Sequence, residues 1–107
     1  MKTLTTMERR EREREERFRD AAFNGELERV ARMLNNGIDI NAIDRDGITA
    51  LIYAAQEGNI YVVKLLVARG ADATIKDNEG WMAINIAAQN GFYDIVDILI
   101  PLVKEGR

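Results

Sequence analysis

The chain has no cysteine and no histidine among its 107 residues. Without either, disulfides, thiolate chemistry, zinc ligation of the usual kind and Cys/His or Ser/His nucleophilic arrangements are excluded. The missing cysteines also fit a reducing compartment. No apolar run approaches the ~18 to 20 residues that span a bilayer, and the opening MKTLTTMERR lacks the apolar segment of a secretory signal. There is no glycine-rich phosphate loop followed by Lys-Ser or Lys-Thr. The acids of Asp44-Arg45-Asp46-Gly47 and Asp77-Asn78-Glu79-Gly80 resemble calcium loops superficially. Setting each glycine as the sixth loop position puts Ala42 or Ile75 first and Tyr53 or Ile86 twelfth, none of which can ligate through its side chain as the loop requires. These absences point away from an enzyme, a metal and a cofactor. What remains is one soluble domain, 47% hydrophobic and 31% charged, expected in the cytoplasm or nucleus, with a formal net charge of −3 that gives no bulk attraction to nucleic acid or anionic membrane.

The strongest positive signal is a period of 33. Ala54 and Ala55 map back onto Ala21 and Ala22 and forward onto Ala87 and Ala88; Gly58 maps onto Gly25 and Gly91, Val63 onto Val30 and Val96, and Leu66 onto Met33 and Leu99. Such a period marks supersecondary units that cannot bury their apolar faces alone and stack on their neighbours. Alanine pairs let inner helices approach closely, and glycines just past each helix allow a left-handed ending. Outer helices are expected over about Leu27–Asn35, Ile60–Arg69 and from Tyr93 onward. Thr49 offers an N-cap to the second inner helix, whereas its counterpart Met82 has no oxygen to offer, a deficit of ~0.5 to 2 kcal/mol. Pro101 and Val103 make the ending of the last outer helix atypical.

The middle copy carries Asp44, Gly47, Thr49, Leu51, Ala54, Ala55, Gly58, Val63, Leu65, Leu66, Gly70, Ala71 and Asp72 in the order and spacing of an ankyrin repeat, and the chain resembles that family over roughly residues 17 to 103. Thr49 to Ile52 reads TALI and Met82 to Asn85 reads MAIN, so the family's signature proline and histidine are missing from both. The resemblance implies an all-α helix-turn-helix solenoid with β-hairpin-like turns between repeats, divided at about 17–43, 44–76 and 77–107.

Ahead of it, residues 1–16 read as a charged helical extension. Thr5 and Glu8 have capping-box spacing in front of the run ERREREREER, Glu8 to Arg17. Glu8/Arg12, Arg9/Glu13, Arg12/Glu16 and Glu13/Arg17 are spaced for ion pairs worth ~0.2 to 0.5 kcal/mol each. The run has no apolar residue from which to build a coiled-coil seam. Residues 1 to 20 hold seven basic and six acidic side chains, so the run nearly neutralises itself. It reads as a solvated extension ahead of a protein-contact arm or a nucleic-acid arm.

The resemblance also implies a protein-protein interaction module that binds through turn tips and the concave face of the inner helices. By position that surface is Phe23, Asn24, Arg45, Asp46, Ile48, Gln56, Glu57, Asn78, Glu79, Trp81, Gln89 and Asn90. Phe23, Ile48 and Trp81 would put three large apolar groups in one groove, as interaction hot spots favour; Trp81 packing back on Met82 and the last helix is the competing reading. A second class of function is a self-associating, homodimeric or engineered scaffold. The last unit carries Ile84, Ile86, Ile98, Ile100 and Leu102, several expected to point where a fourth unit would stack. A homodimer through the C-terminal repeat, a longer array or a terminal helix folded back would each cover them.

Overall fold

The computed structural model describes residues 3–104, and those residues form six helices: α1 (Thr6–Phe23), α2 (Leu27–Asn35), α3 (Ala50–Glu57), α4 (Ile60–Ala68), α5 (Ala83–Gln89) and α6 (Tyr93–Lys104). No strand occurs among the described residues. In each unit an inner helix packs on the outer helix that follows it, α3 stacks between α1 and α5, and α4 lies between α2 and α6. The alanines permit this. Ala21, Ala22, Ala54, Ala55 and Ala87 are fully buried in the seam between inner helices, where a longer side chain would hold the units apart. Around them Phe18, Leu51, Leu66, Ile95 and Leu99 fill the core, each burial contributing ~1.5 to 3 kcal/mol.

Local chemistry sets where the helices begin. The Thr5 hydroxyl accepts from the Glu8 amide at 3.1 Å and the Glu8 carboxylate accepts from the Thr5 amide at 2.9 Å, closing the capping box that starts α1. Those bonds to Thr5 hold the Glu8 carboxyl below its ordinary pKa. Thr49 caps α3 through a buried bond from the Ile52 amide, 3.1 Å. Met82 makes no side-chain cap on α5; instead the Asn85 side chain accepts from the Met82 amide at 2.9 Å, which satisfies one donor of the two that a full box would cover. The helix it opens is also the shortest of the six.

The last outer helix, whose ending was expected to be atypical, runs through Pro101 to Lys104, with the proline ring exposed. None of the four i,i+4 ion pairs expected in the charged run forms; α1 carries Glu11–Arg14, at 2.7 Å and spacing i,i+3. On an exposed helix the entropy of long side chains cancels most of what such a pair gains, so geometry is not dictated by spacing. α1 itself runs without a break from the charged half into the packed half.

Polar side chains then tie unit to unit. The Asn59 amide donates to the carbonyls of Ala22 and Phe23 at 2.9 and 2.8 Å, satisfying the open end of α1 from the next unit. Asn90 does the same for α3 through the Gln56 carbonyl, 3.1 Å. Arg69 reaches Asn35, and the Asp72 amide reaches the Asn41 side chain.

Candidate functional site

Two aspartates build the turns that separate the units. Asp44 Oδ1 accepts from the amides of Asp46 and Ile48, each at 2.9 Å, and Asp77 Oδ1 accepts from those of Glu79 and Trp81 at the same distance. Backbone bonds from Gly47 to Asp44 and from Asp44 to Ile48, repeated from Gly80 to Asp77 and from Asp77 to Trp81, close each turn. The turns are stitched side by side: the Asn78 amide donates to the Asp46 carbonyl at 3.0 Å, and its side chain donates to the Arg45 carbonyl at 3.0 Å. Asn78 and Asn90 therefore hold neighbouring units together, which sets them apart from the other polar residues of the expected surface.

Between the two tips lies a cleft of about 490 Å3 lined by Asp46, Ile48, Asp77, Asn78 and Glu79. Trp81 follows on the second tip, 40% exposed and outside the packed core. On the inner helices Phe23, 38% exposed, meets Tyr53 edge to face, ring centroids 5.8 Å apart. Asn24, Arg45, Asp46, Glu57, Asn78, Glu79, Gln89 and Asn90 are exposed, while Ile48 and Gln56 are half-buried, with the Gln56 side chain donating to Glu57 at 3.1 Å.

Sequence reasoning missed the residues beneath this surface. Arg19 is buried on α1 and its guanidinium donates to the Ala42 carbonyl at 3.2 Å. Tyr53 donates its hydroxyl to Asp44 at 2.5 Å. Burial works against the Asp44 carboxylate, but the bonds from Tyr53, Ile48 and Asp46, helped by the nearby Arg19 charge, outweigh it and hold the carboxyl below its ordinary pKa. The same environment, burial first and the Asp44 bond second, pushes the Tyr53 hydroxyl up to about 12. Arg19, Asp44 and Tyr53 thus fasten α1, the first turn and α3 to one another under Phe23. Tyr53 was legible in principle, because it lies three residues before Gln56 and so on the same helical face.

Burial changes at the far end. Phe18 and Leu51 are at most 2% exposed, but their counterpart Ile84 is half-buried; Ala22 and Ala55 are buried, but Ala88 is exposed; Val30 and Val63 are buried, but Val96 is half-buried. Those positions lie on helix pairs against which the next unit stacks, α3 and α4 on the first unit and α5 and α6 on the second. Ile100, at 36%, is more open than its half-buried counterparts Leu34 and Val67. Ile86, Ile98 and Leu102 are half-buried, and their counterparts in the first unit, Asp20, Arg32 and Asn36, are polar and exposed. Ala88 and Val96 were not singled out from sequence, although superposing the three copies points to them.

No helix among the described residues is long and apolar enough to cross a membrane. A family model described as ankyrin repeats (three copies) matches residues 18–105. An ankyrin repeat protein of Fowlpox virus (strain NVSL) is 39% identical over 46 residues, which is 43% of this chain and 33% of that protein, so the matched stretch spans about a third of the relative's length. The 33-residue register, the paired helices and a family match over most of the sequence agree: the chain belongs to the ankyrin-repeat family, a non-catalytic fold whose repeats are in general protein-protein interaction modules.

Proposed function

We propose that the chain is a protein-interaction module that engages a protein partner through its turn tips and the exposed face of its inner helices, with Phe23, Ile48 and Trp81 as apolar contacts. Asn24, Arg45, Asp46, Gln56, Glu57, Glu79 and Gln89 surround them, and Asn78 and Asn90 hold the surface together. One observation carries the reading: Phe23 is held against Tyr53 by edge-to-face packing while more than a third of it stays open to solvent. An aromatic side chain fixed before binding loses little entropy on contact, which is what an anchor requires. Affinity capture with the wild type, Trp81→Ala, Phe23→Ala and the outer-helix control Tyr61→Ala tests it. Proteins retained by the wild type and Tyr61→Ala but lost by both groove variants support the reading; proteins lost with Tyr61→Ala and kept by the groove variants contradict it.

A second reading, self-association through the C-terminal repeat, is favoured by the loss of cover at Ile84, Ala88 and Val96. With Ile86, Ile98, Ile100 and Leu102 around them, these residues form an apolar end that a second copy would bury about a two-fold axis. Sedimentation at high micromolar concentration should then give a dimer that Ala88→Glu converts to a monomer. A wild type that sediments as a monomer there contradicts it.

A further inference from the structure

Charge is unevenly distributed across the solenoid. Segments 44–58 and 77–90, which form the tips and inner helices of the second and third units, hold the carboxylates Asp44, Asp46, Glu57, Asp77 and Glu79 against a single cation, Arg45. The outer helices α2, α4 and α6 together carry Arg29, Arg32, Lys64 and Lys104 against Glu28, Asp94 and Asp97. Negative charge is therefore concentrated on the proposed binding face. Arg45 does not offset it where it matters: it lines a different cleft, of about 580 Å3, with Arg12, Glu15, Glu16, Arg19, Ile43 and Asp44, between α1 and the first turn. The cleft between the tips holds Asp46, Asp77 and Glu79 above the apolar Ile48, and no cation lines it. The ion pairs among the described residues are Glu11–Arg14 and Glu26–Arg29, so neither Asp46, Glu57 nor Glu79 has a cationic partner within the described chain.

Resting on the interaction reading above, we infer that the face receives a basic segment of a protein partner that also carries an apolar anchor. A lysine or arginine side chain matches the cleft between the tips twice over: its aliphatic stem covers Ile48 and its charged end meets the carboxylates at the rim. The anchor packs on Trp81 or on the Phe23–Tyr53 pair. The same carboxylates repel phosphate, which sets this face against nucleic acid. They also set it against acidic peptides, so the charge pattern gives specificity as well as attraction.

The test is selection of random 12-residue peptides displayed on phage, run on the full chain. Synthetic copies of the enriched peptides are then titrated, as fluorescent conjugates, against the wild type, Asp46→Lys/Glu79→Lys and Trp81→Ala, with circular dichroism confirming helicity; Asp46→Asn/Glu79→Gln replaces the charge reversal if that variant does not fold. Enriched peptides should be net positive with at least one large apolar residue. Their affinity should fall at least tenfold in the charge-reversed variant and about as much between 50 and 500 mM NaCl, as screening requires. Neutral or acidic peptides that lose binding in Trp81→Ala but not in Asp46→Lys/Glu79→Lys would overturn this inference while leaving the interaction surface standing. Peptides indifferent to all the variants, or no enrichment at all, would overturn both.

Discussion

Gly58 ends α3 with φ +73° at the point where the third unit presses on the second. A Cβ built there would lie 2.6 Å from one Phe92 ring carbon and 2.7 Å from another, contacts that no packed structure holds without movement. Gly91, its counterpart on α5, has φ +81° and nothing within 4 Å of a Cβ. The pair separates two costs that are usually confounded. Gly91→Ala carries the left-handed backbone penalty alone, ~1 to 2 kcal/mol, whereas Gly58→Ala adds overpacking against an aromatic ring, ~1 to 3 kcal/mol more. Urea unfolding followed by circular dichroism should therefore place Gly58→Ala clearly below Gly91→Ala at unchanged m-value. Adding Phe92→Leu to Gly58→Ala should recover part of the steric loss, giving a double mutant less destabilised than the two changes summed. Equal losses for the two glycine variants, or strict additivity with Phe92→Leu, would refute the claim that this contact locks the second unit to the third.

Four further outcomes follow from the geometry. Thr49→Ala should cost ~1 to 2 kcal/mol and Met82→Thr should gain up to ~1 kcal/mol, because the first removes a buried cap and the second supplies a missing one; thermal unfolding of both variants checks this. Absorbance titration near 295 nm should show one tyrosine ionising at about 12, a step that Tyr53→Phe removes. Since the folded pKa of Tyr53 is raised, its contribution to stability is complete below the unfolded value near 10 and fades as pH climbs from there to about 12. Asp44 has the opposite sign: its pKa is depressed, so its contribution is present above the unfolded carboxylate value and disappears as pH falls through the folded one, a loss absent from Asp44→Asn. Removal of residues 1–14 should change global stability by less than ~1 kcal/mol, since the described part of that segment offers one exposed ion pair and a cap, and unfolding of the shortened chain measures it directly.

The repeat made most of the fold legible. Once Ala54 and Ala55 are aligned with their counterparts, helix positions, the buried seam and the turn tips follow from residue identity, because small, apolar and left-handed positions are each imposed locally. What stayed hidden depends on which neighbour a side chain finds. Arg19 sits where the second unit has Ile52 and the third Asn85, so nothing periodic marks it for burial, and an arginine directly after a charged run reads as solvated. Its burial becomes intelligible once the Ala42 carbonyl is seen to be within reach. Asn59 and Asn90 perform one task from different register positions, which a strict 33-residue alignment separates. On the candidate surface the exposed aromatics could be located by position, and Tyr53 by its helical face, but the edge-to-face pairing of Phe23 with Tyr53 depends on how closely α1 and α3 approach. That Arg45 lines the cleft beside α1, while no cation lines the cleft between the tips, depends on the fold and not on order along the chain.

The proposed recognition on the tips and inner helices is tested by the affinity of a protein partner captured by the wild type, determined by calorimetry for Trp81→Ala and for Tyr61→Ala. Trp81→Ala should lose about 30-fold or more, equivalent to ~2 kcal/mol for a hot-spot aromatic, and Tyr61→Ala should change affinity within about twofold, with helicity intact in both. Binding that survives Trp81→Ala and fails with Tyr61→Ala would contradict it and move recognition to the outer helices.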